Sequence, residues 1–484
     1  MVWGQGMQNT FPRKNIIMLL TEKNILIPLA KDHENLLEHI AGTICGELKG
    51  GEIPVRIAVT KTDSEGYHCE MGILSDAQGP RVSAMESIFS FKKREYENNK
   101  NFNAMLLVPT GIGAELGGHS GDAGPVARLI SANCDNLITH PNVVNAADIN
   151  ELPENALYVE GSVISRLMMG TLGLQKVRLN RVLMVVDEHT DKMFHELAIN
   201  SVSAARAALG LDCPLVVKME ERVLMRAFYS KSGRAVGRIE YFERLCEALE
   251  DYKSEYDAVA ITSLIHVPEH YHADYFTTEG NMVNPWGGVE AILTHAISML
   301  YNLPSAHSPM MTSNEVMNLD VGIVDPRKSA EAVSTTYLHC ILKGLHRSPR
   351  IVTNAPIHGD PNLMTVADVS CLVIPDGCVG LPTLAALEQG IPVIAVRENK
   401  NCMQNTLEDL PFAPGKLFVV DNYLEAAGVM TALRAGVALE TVRRPLAVTR
   451  VVTEESTIKS VTHEAKSSII DKQVVNTLKR RHAV

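Results

Sequence analysis

From Met105 onward, short apolar runs alternate with amphipathic stretches, and a chain written this way has few folds open to it. Runs without polar alternation read as strands buried on both faces, and the amphipathic stretches between them read as helices covering those faces. Strands are predicted at 105–109, 136–139, 156–159, 181–186, 214–218, 257–262, 350–352, 370–374, 391–396 and 416–420. Helices are predicted at 123–133, 191–209, 234–253, 287–301, 328–344, 382–389 and 422–435. The expected class is α/β, with two Rossmann-like, mostly parallel sheets facing across a cleft. A boundary near 252–256 gives a first α/β domain over 101–255 and a second over 256–445. Ahead of them, residues 1–100 read as a small N-terminal α+β unit and linker, with strands at 25–28, 55–59 and 67–74 and a helix from about 32 to 48. Residues 446–484 alternate charge with few large apolar side chains and read as a C-terminal helix or tail.

The strand at 105–109 breaks into a loop containing Gly111, Gly113, Gly117, Gly118, Gly121 and Gly124, and then into a helix for which Asp122 is the candidate N-cap. Glycines let backbone N–H groups approach a ligand, and a helix N-terminus adds partial positive charge, so this geometry suits a phosphate or carboxylate. The loop is neither a Walker loop nor a GxGxxG fingerprint. His119, Ser120 and Asp122 bring more polar chemistry than a bare turn requires, although a tight connection that binds nothing is the plain alternative. A second loop of the same kind, Asp376, Gly377, Cys378, Val379 and Gly380, follows another buried strand and precedes another helix, with Asn399 near the end of the next strand. Loops of this kind lie at the carboxyl edges of parallel sheets. The two are expected to open into one cleft, with His119 or Asp122 opposite Asp376 or Asn399. Arg327, after Asp325 and Pro326, is the expected partner for an anion, or else an arginine paired with Asp325 at the surface.

Further polar residues stand at predicted strand ends. His140, before a proline and near Asn142 and Asn145, reads equally as a ligand contact or a turn. Glu160 is a candidate acid or base or a solvated strand end. Asp187 reads more readily as a cap for the next helix. Trp286 and two glycines precede a helix carrying Glu290 and His295, a second candidate helix start for an anion. His266, His270 and His272 have acceptable spacing for a divalent metal, but Pro268 interrupts them and the motif is not HExxH. Cys378 is weighed as a nucleophile against the commoner role of a packing residue.

The net charge of −11, with the one basic cluster at 479–482, argues against nucleic acid as a partner. Nine cysteines occur singly with no CxxC pair, which is reduced, cytoplasmic usage. No signal peptide is read, and no apolar stretch reaches the roughly 18 residues a membrane span needs. The expected partner is a small anionic molecule, with no membrane partner and with homo-oligomerisation left open.

The segments PTGIGAELGGHSGDA, LITHPNVVNAADINELPENALYVEGS, NPWGGVEAILTHA, VDPRKSAEAVS and PDGCVGLPTLAALEQGIPVIAVREN, in this order over roughly 105–400, resemble a conserved family of unknown function. That resemblance carries no reaction. In architecture, GGHSGDAGPVARLI is similar to the first glycine loop of two-domain nucleotide-sugar glycosyltransferases. LPTLAALEQGIPVIAV is similar to an element in the C-terminal domain of those enzymes and of related epimerases. This likeness implies two Rossmann-like domains across a cleft, while the histidine-rich 263–310 has no counterpart in them. The resulting expectation is an intracellular enzyme holding a small phosphorylated, nucleotide-linked or carboxylate metabolite between two glycine-rich loops, with transfer or isomerisation chemistry. The alternatives are a metal-dependent hydrolase or lyase using the 266–272 histidines, and a catalytically silent ligand-binding or scaffold protein.

Overall fold

The computed structural model describes residues 17–31, 35–77, 82, 85–277, 282–353, 360 and 362–452. The most apolar runs pair with one another in a six-stranded, wholly parallel sheet. Its order is Leu417–Val420, Val393–Val396, Val369–Pro375, Asn103–Leu106, Asn136–Thr139 and Ala156–Tyr158. Val369–Pro375 is buried at every position, which an inner strand covered on both faces requires. The chain builds outward in one direction from Asn103 and in the other from Val369. The carboxyl ends of these two neighbours therefore form a topological switch point, where open α/β sheets bind ligands.

The second sheet is mixed. Its order is Leu215–Lys218, Val182–Val186, Ala258–His266, Leu224–Tyr229, Ala235–Glu240, Leu19–Ile27, Gly66–Ser75, Ile53–Asp63 and Val379–Gly380, with Ser305–Met310 also paired to Ala258–His266. Pairing is parallel around Ala258–His266 and antiparallel from Ala235–Glu240 onward.

The fold is α/β, with one large parallel sheet and one mixed sheet, but the strands are shared out differently from the expected division. Val182–Val186 pairs with Ala258–His266 across the 252–256 boundary, and Asn103–Leu106 lies against Val369–Pro375. The strands of the N-terminal segment are inner members of the mixed sheet and form no separate unit. Apolar runs specify that a strand is buried, and leave open which neighbour buries it. The described residues up to Val437 form one compact unit, and those from Ala438 onward belong to another. A 3₁₀ turn at Leu439–Val442 is described in the second unit, and the expected tail beyond Val452 lies outside the described residues.

Two expected helices take other forms. Within 234–253, Ala235–Glu240 is a strand paired with Leu224–Tyr229, and the helix starts only at Phe242, after Tyr241 at φ 63°. The stretch 328–344 is broken between Ser329–Ala332 and Leu338–His346. There the Ser334 and Thr336 hydroxyls bind the Asp148 carboxylate and Tyr337 sits at φ 54°. Hydroxyl side chains that find partners off the helix compete with helical backbone. The polar 76–103 connection is tied down by Arg94, which donates to the carbonyls of Gln389 and Val369.

Gly287–Tyr301 is the helix that matters most for the site. It presses on Ala235–Glu240: a Cβ on Gly288 would lie 1.9 Å from the Ala235 carbonyl oxygen, and one on Gly237 would lie 2.2 Å from Val289 Cβ. Side-chain-free contact on both partners lets the helix backbone lie directly on the sheet.

Candidate active site

A cleft with two chambers, of about 180 Å³ and about 150 Å³, receives residues from both sheets. Thr110, His140, Gly161, Ala291 and His295 line both chambers and form their common wall.

Glu160 follows the edge strand Ala156–Tyr158 and is the N-cap of Gly161–Met168. Its Oε2 accepts the Ser162 amide at 2.8 Å and the Ser162 hydroxyl at 2.5 Å. Its Oε1 lies 2.5 Å from His295 Nδ1 and accepts the Thr294 hydroxyl at 3.2 Å. Burial works against the Glu160 carboxylate. The adjacent His295 and the Ser162 donors more than offset this and hold its pKa below the ordinary value. An ionised carboxylate beside Nδ1 draws the imidazole proton to that nitrogen and leaves Nε2 for proton transfer. Gly161 permits this approach, because a Cβ there would lie 2.8 Å from His295 Cε1.

His140 completes the wall. Its Nε2 accepts the Val108 amide at 3.1 Å, so Nδ1 carries the proton. Burial, set against the pull of Glu160, lowers its pKa to about 4, which makes it a neutral donor at pH 7. On the mixed-sheet side, His307 Nδ1 lies 3.3 Å from Glu290 Oε2, and its Nε2 is 2.8 Å from the Ser263 hydroxyl. Glu331 lines the first chamber and accepts the Ser120 amide at 2.6 Å and the Tyr275 hydroxyl at 3.0 Å.

The structure brings Gly111, Gly118, Ser120, His140, Asn142 and Asn145 to the first chamber, and Gly380 to the second. Both glycine loops reach the second chamber, through Thr110 and Ile112 and through Cys378, Val379 and Gly380. Their backbone donors serve the protein, however. The amides of Glu115, Leu116, Gly117 and Ser120 bind the Lys400 carbonyl, Asn399 Oδ1, Asp122 Oδ1 and Glu331 Oε1. These four amides are thus taken up within the protein. Gly113, Gly117, Gly121 and Gly377 shape the loops at positive φ and line neither chamber.

Asp122 folds back on the loop and does not cap Gly124–Ser131, which has no side-chain cap; burial raises its pKa to about 7. His119 is buried against the Tyr275 hydroxyl at 2.7 Å, with its pKa lowered to about 4 by burial. Asp376 holds the amides of Gly377 and Leu407, and Asn399 clamps both backbone groups of Leu116. Arg327 is engaged by Asp325 and Glu115. None of these five lines a chamber. Asp187 does not cap the helix that follows it; Asp191 does. Cys378 is buried and its thiol pKa is pushed up by that burial, which disfavours the thiolate a nucleophile needs.

His266, His270 and His272 do not converge. His266 ends a strand, His270 is exposed, and His272 packs 5.8 Å from the Trp286 ring. Among the described residues, the group whose ligand atoms gather closely enough for a metal is Asp63, Glu65 and His68, at the turn between Ile53–Asp63 and Gly66–Ser75, and none of the three lines a chamber. His307, Arg56, Arg166 and Arg234 also line the cleft and belong to none of the sequence's candidate site residues. The signal for the arginines was available: Arg56 in PVRIAV and Arg166 in VISRLMM are single cations within apolar runs.

The family described as protein of unknown function (DUF3326) matches residues 103–443. An uncharacterized lipoprotein of Synechococcus sp. is 32% identical over 343 residues, which cover 70% of this chain and 92% of that protein. No solved structure matches significantly.

Proposed function

Since the chain belongs to the DUF3326 family, whose description assigns no chemistry, its function has to be argued from the cleft, and we propose an enzyme that moves a proton on a small anionic metabolite. The observation that carries this reading is the Glu160–His295 pair, in which Glu160 faces the first chamber and His295 lies on the wall common to both. A buried carboxylate held ionised beside an imidazole is the arrangement of a general base, and neutral His140 on the same wall can donate to a developing oxyanion. Isomerisation by proton transfer needs these two groups and a held substrate. Transfer chemistry would need a nucleophile or a second substrate site as well, and Cys378 does not suit the first role. The cationic side chains of the second chamber favour an anion as the held group.

The free state of all nine cysteines favours the cytoplasm, and no helix among the described residues is long and apolar enough to cross a membrane. The Synechococcus relative is named a lipoprotein, so fractionation of the expressed chain, with recovery in the membrane fraction, would move it from that compartment.

The test of the reaction is solvent-deuterium incorporation into a panel of small carboxylates and phosphate esters, followed by NMR. Wild type should label at least one of them at a carbon next to an electron-withdrawing group. Glu160→Gln and His295→Ala should slow labelling by about 10²-fold or more. Labelling that is unchanged in both variants would remove the pair from the mechanism.

A further inference from the structure

We infer that the second chamber is a seat for the oxyanion of a small apolar acid, a carboxylate or a phosphate monoester whose body is about the size of one ring. The chamber walls are largely apolar, with Val55, Ile57, Leu107, Ile374 and Leu381 among them. Into these walls the fold places three arginines, Arg56, Arg166 and Arg234, at 9%, 7% and 4% exposure. A buried guanidinium is tolerated when it is paired. Arg56 is paired with Glu22, and Arg234 Nη1 with Glu70 at 2.7 Å. Arg166 differs: it donates to Asn302 Oδ1 at 2.7 Å and to the Ser298 carbonyl at 3.1 Å, both neutral, and the carboxylates of Glu160 and Glu86 act on it only through space. The Nε of Arg166 and the Nε of Arg234 also have no hydrogen-bond acceptor.

Three guanidiniums converge on one apolar chamber, and Arg166 is the one with no carboxylate at hydrogen-bond distance among the described residues, so an oxyanion in the chamber is the partner that suits it. Guanidinium geometry favours the planar fork of a carboxylate or two oxygens of a phosphate. The rest of the ligand has to suit apolar walls and a volume of about 150 Å³, a space that in other proteins accepts a benzene-sized group. Because His140, Gly161 and His295 belong to this chamber too, an acid seated here carries its neighbouring carbons toward the proton-transfer pair. That last placement rests on the proposed function, whereas the seat itself does not.

Calorimetry on the full chain with benzoate, phenyl phosphate, benzamide and inorganic phosphate tests the seat. Benzoate or phenyl phosphate should bind saturably and at least tenfold more tightly than isosteric, uncharged benzamide. Whichever of the two acids binds more tightly identifies the oxyanion, and inorganic phosphate, which lacks the apolar body, should bind more weakly than phenyl phosphate. Arg166→Met should weaken the better acid at least tenfold. Should that variant fail to fold, the wild-type comparison of acid with amide decides alone. Benzamide binding as well as the acids, unchanged affinity in a folded Arg166→Met, or no binding of either acid at millimolar concentration would each overturn the proposal. Glu160→Gln separates it from the catalytic reading: acid binding retained without any effect on deuterium exchange leaves the seat standing and removes the pair. Exchange lost in Glu160→Gln alongside equal binding of acid and amide leaves the pair and removes the seat.

Discussion

Glu331 shows how far burial alone sets chemistry at a single residue. Its pKa is raised to about 7 by burial, against the pull of the Ser120 amide and the Tyr275 hydroxyl, so the proton is held by the fold. A folded pKa above the unfolded value means that this contribution to stability is complete below the unfolded pKa of 4.5 and is lost as pH rises to about 7. Glu331→Gln keeps a carbonyl to accept both donors and has no charge to bury. Relative to wild type, it should therefore gain on the order of 3 kcal/mol between pH 4 and pH 8 in urea unfolding. His119 and His140 have the opposite sign: their lowered pKa values give stability that is present above pH 6.5 and lost as pH falls to about 4. They are common to both proteins and cancel in the comparison. A difference independent of pH would show that the fold leaves the Glu331 pKa where it lies in the unfolded chain. At this scale the sequence was partly readable. Glu160, His140, Glu290 and His295 each stand out as polar groups at a strand end or helix start, but nothing in local spacing says that Glu160 meets His295. Asp122 and Arg327 stand out just as strongly, and their local partners, Gly117 and Asp325, take them out of the cleft.

Among the elements, Gly287–Tyr301 positions the site, since it brings Glu290 to His307 and His295 to Glu160. Its seat on Ala235–Glu240 depends on Gly288, where a Cβ would lie 1.9 Å from backbone oxygen and 2.4 Å from backbone carbon, neither able to yield as a side chain end can. Gly288→Ala should cost about 3 kcal/mol or more and misplace both histidine–glutamate pairs. Gly428→Ala, within the helix Tyr423–Ala435 and with nothing within 4 Å, should instead stabilise by about 0.5–1 kcal/mol. Denaturant midpoints of the two variants moving in the same direction would refute the packing argument. The elements most readable in the sequence are those buried on both faces. Asn136–Thr139 matches its expected span, Val182–Val186 differs from its own by a residue at one end, and Val369–Pro375 by a residue at each end. The sequence of Ala235–Glu240 reads as helix because its alternation is short and merges with the amphipathic helix behind it, and only pairing with Leu224–Tyr229 decides the matter.

For the whole molecule, the interleaving of the sheets is the governing fact. Leu19–Ile27, Gly66–Ser75 and Ile53–Asp63 lie between Ala235–Glu240 and Val379–Gly380, and the last of them supplies Val55, Arg56, Ile57 and Ala58 to the second chamber. A fragment of residues 103–443, the span of the family match, would keep the parallel sheet and lose the middle of the mixed one. An unpaired edge at Ala235–Glu240 is a template for association. The fragment should be recovered as oligomer or aggregate in size-exclusion chromatography, and co-expression of residues 17–77 should restore a monomer-sized species. A soluble, cooperatively unfolding fragment would show that the N-terminal strands are an addition to a self-sufficient core. The second glycine loop has its own consequence at this scale. Directly after the parallel sheet's central strand, Val379 and Gly380 pair with Val59 and Ala58 of the mixed sheet. The two walls are thus sewn together along one side, like pages along a spine, and the seam runs beside the arginines.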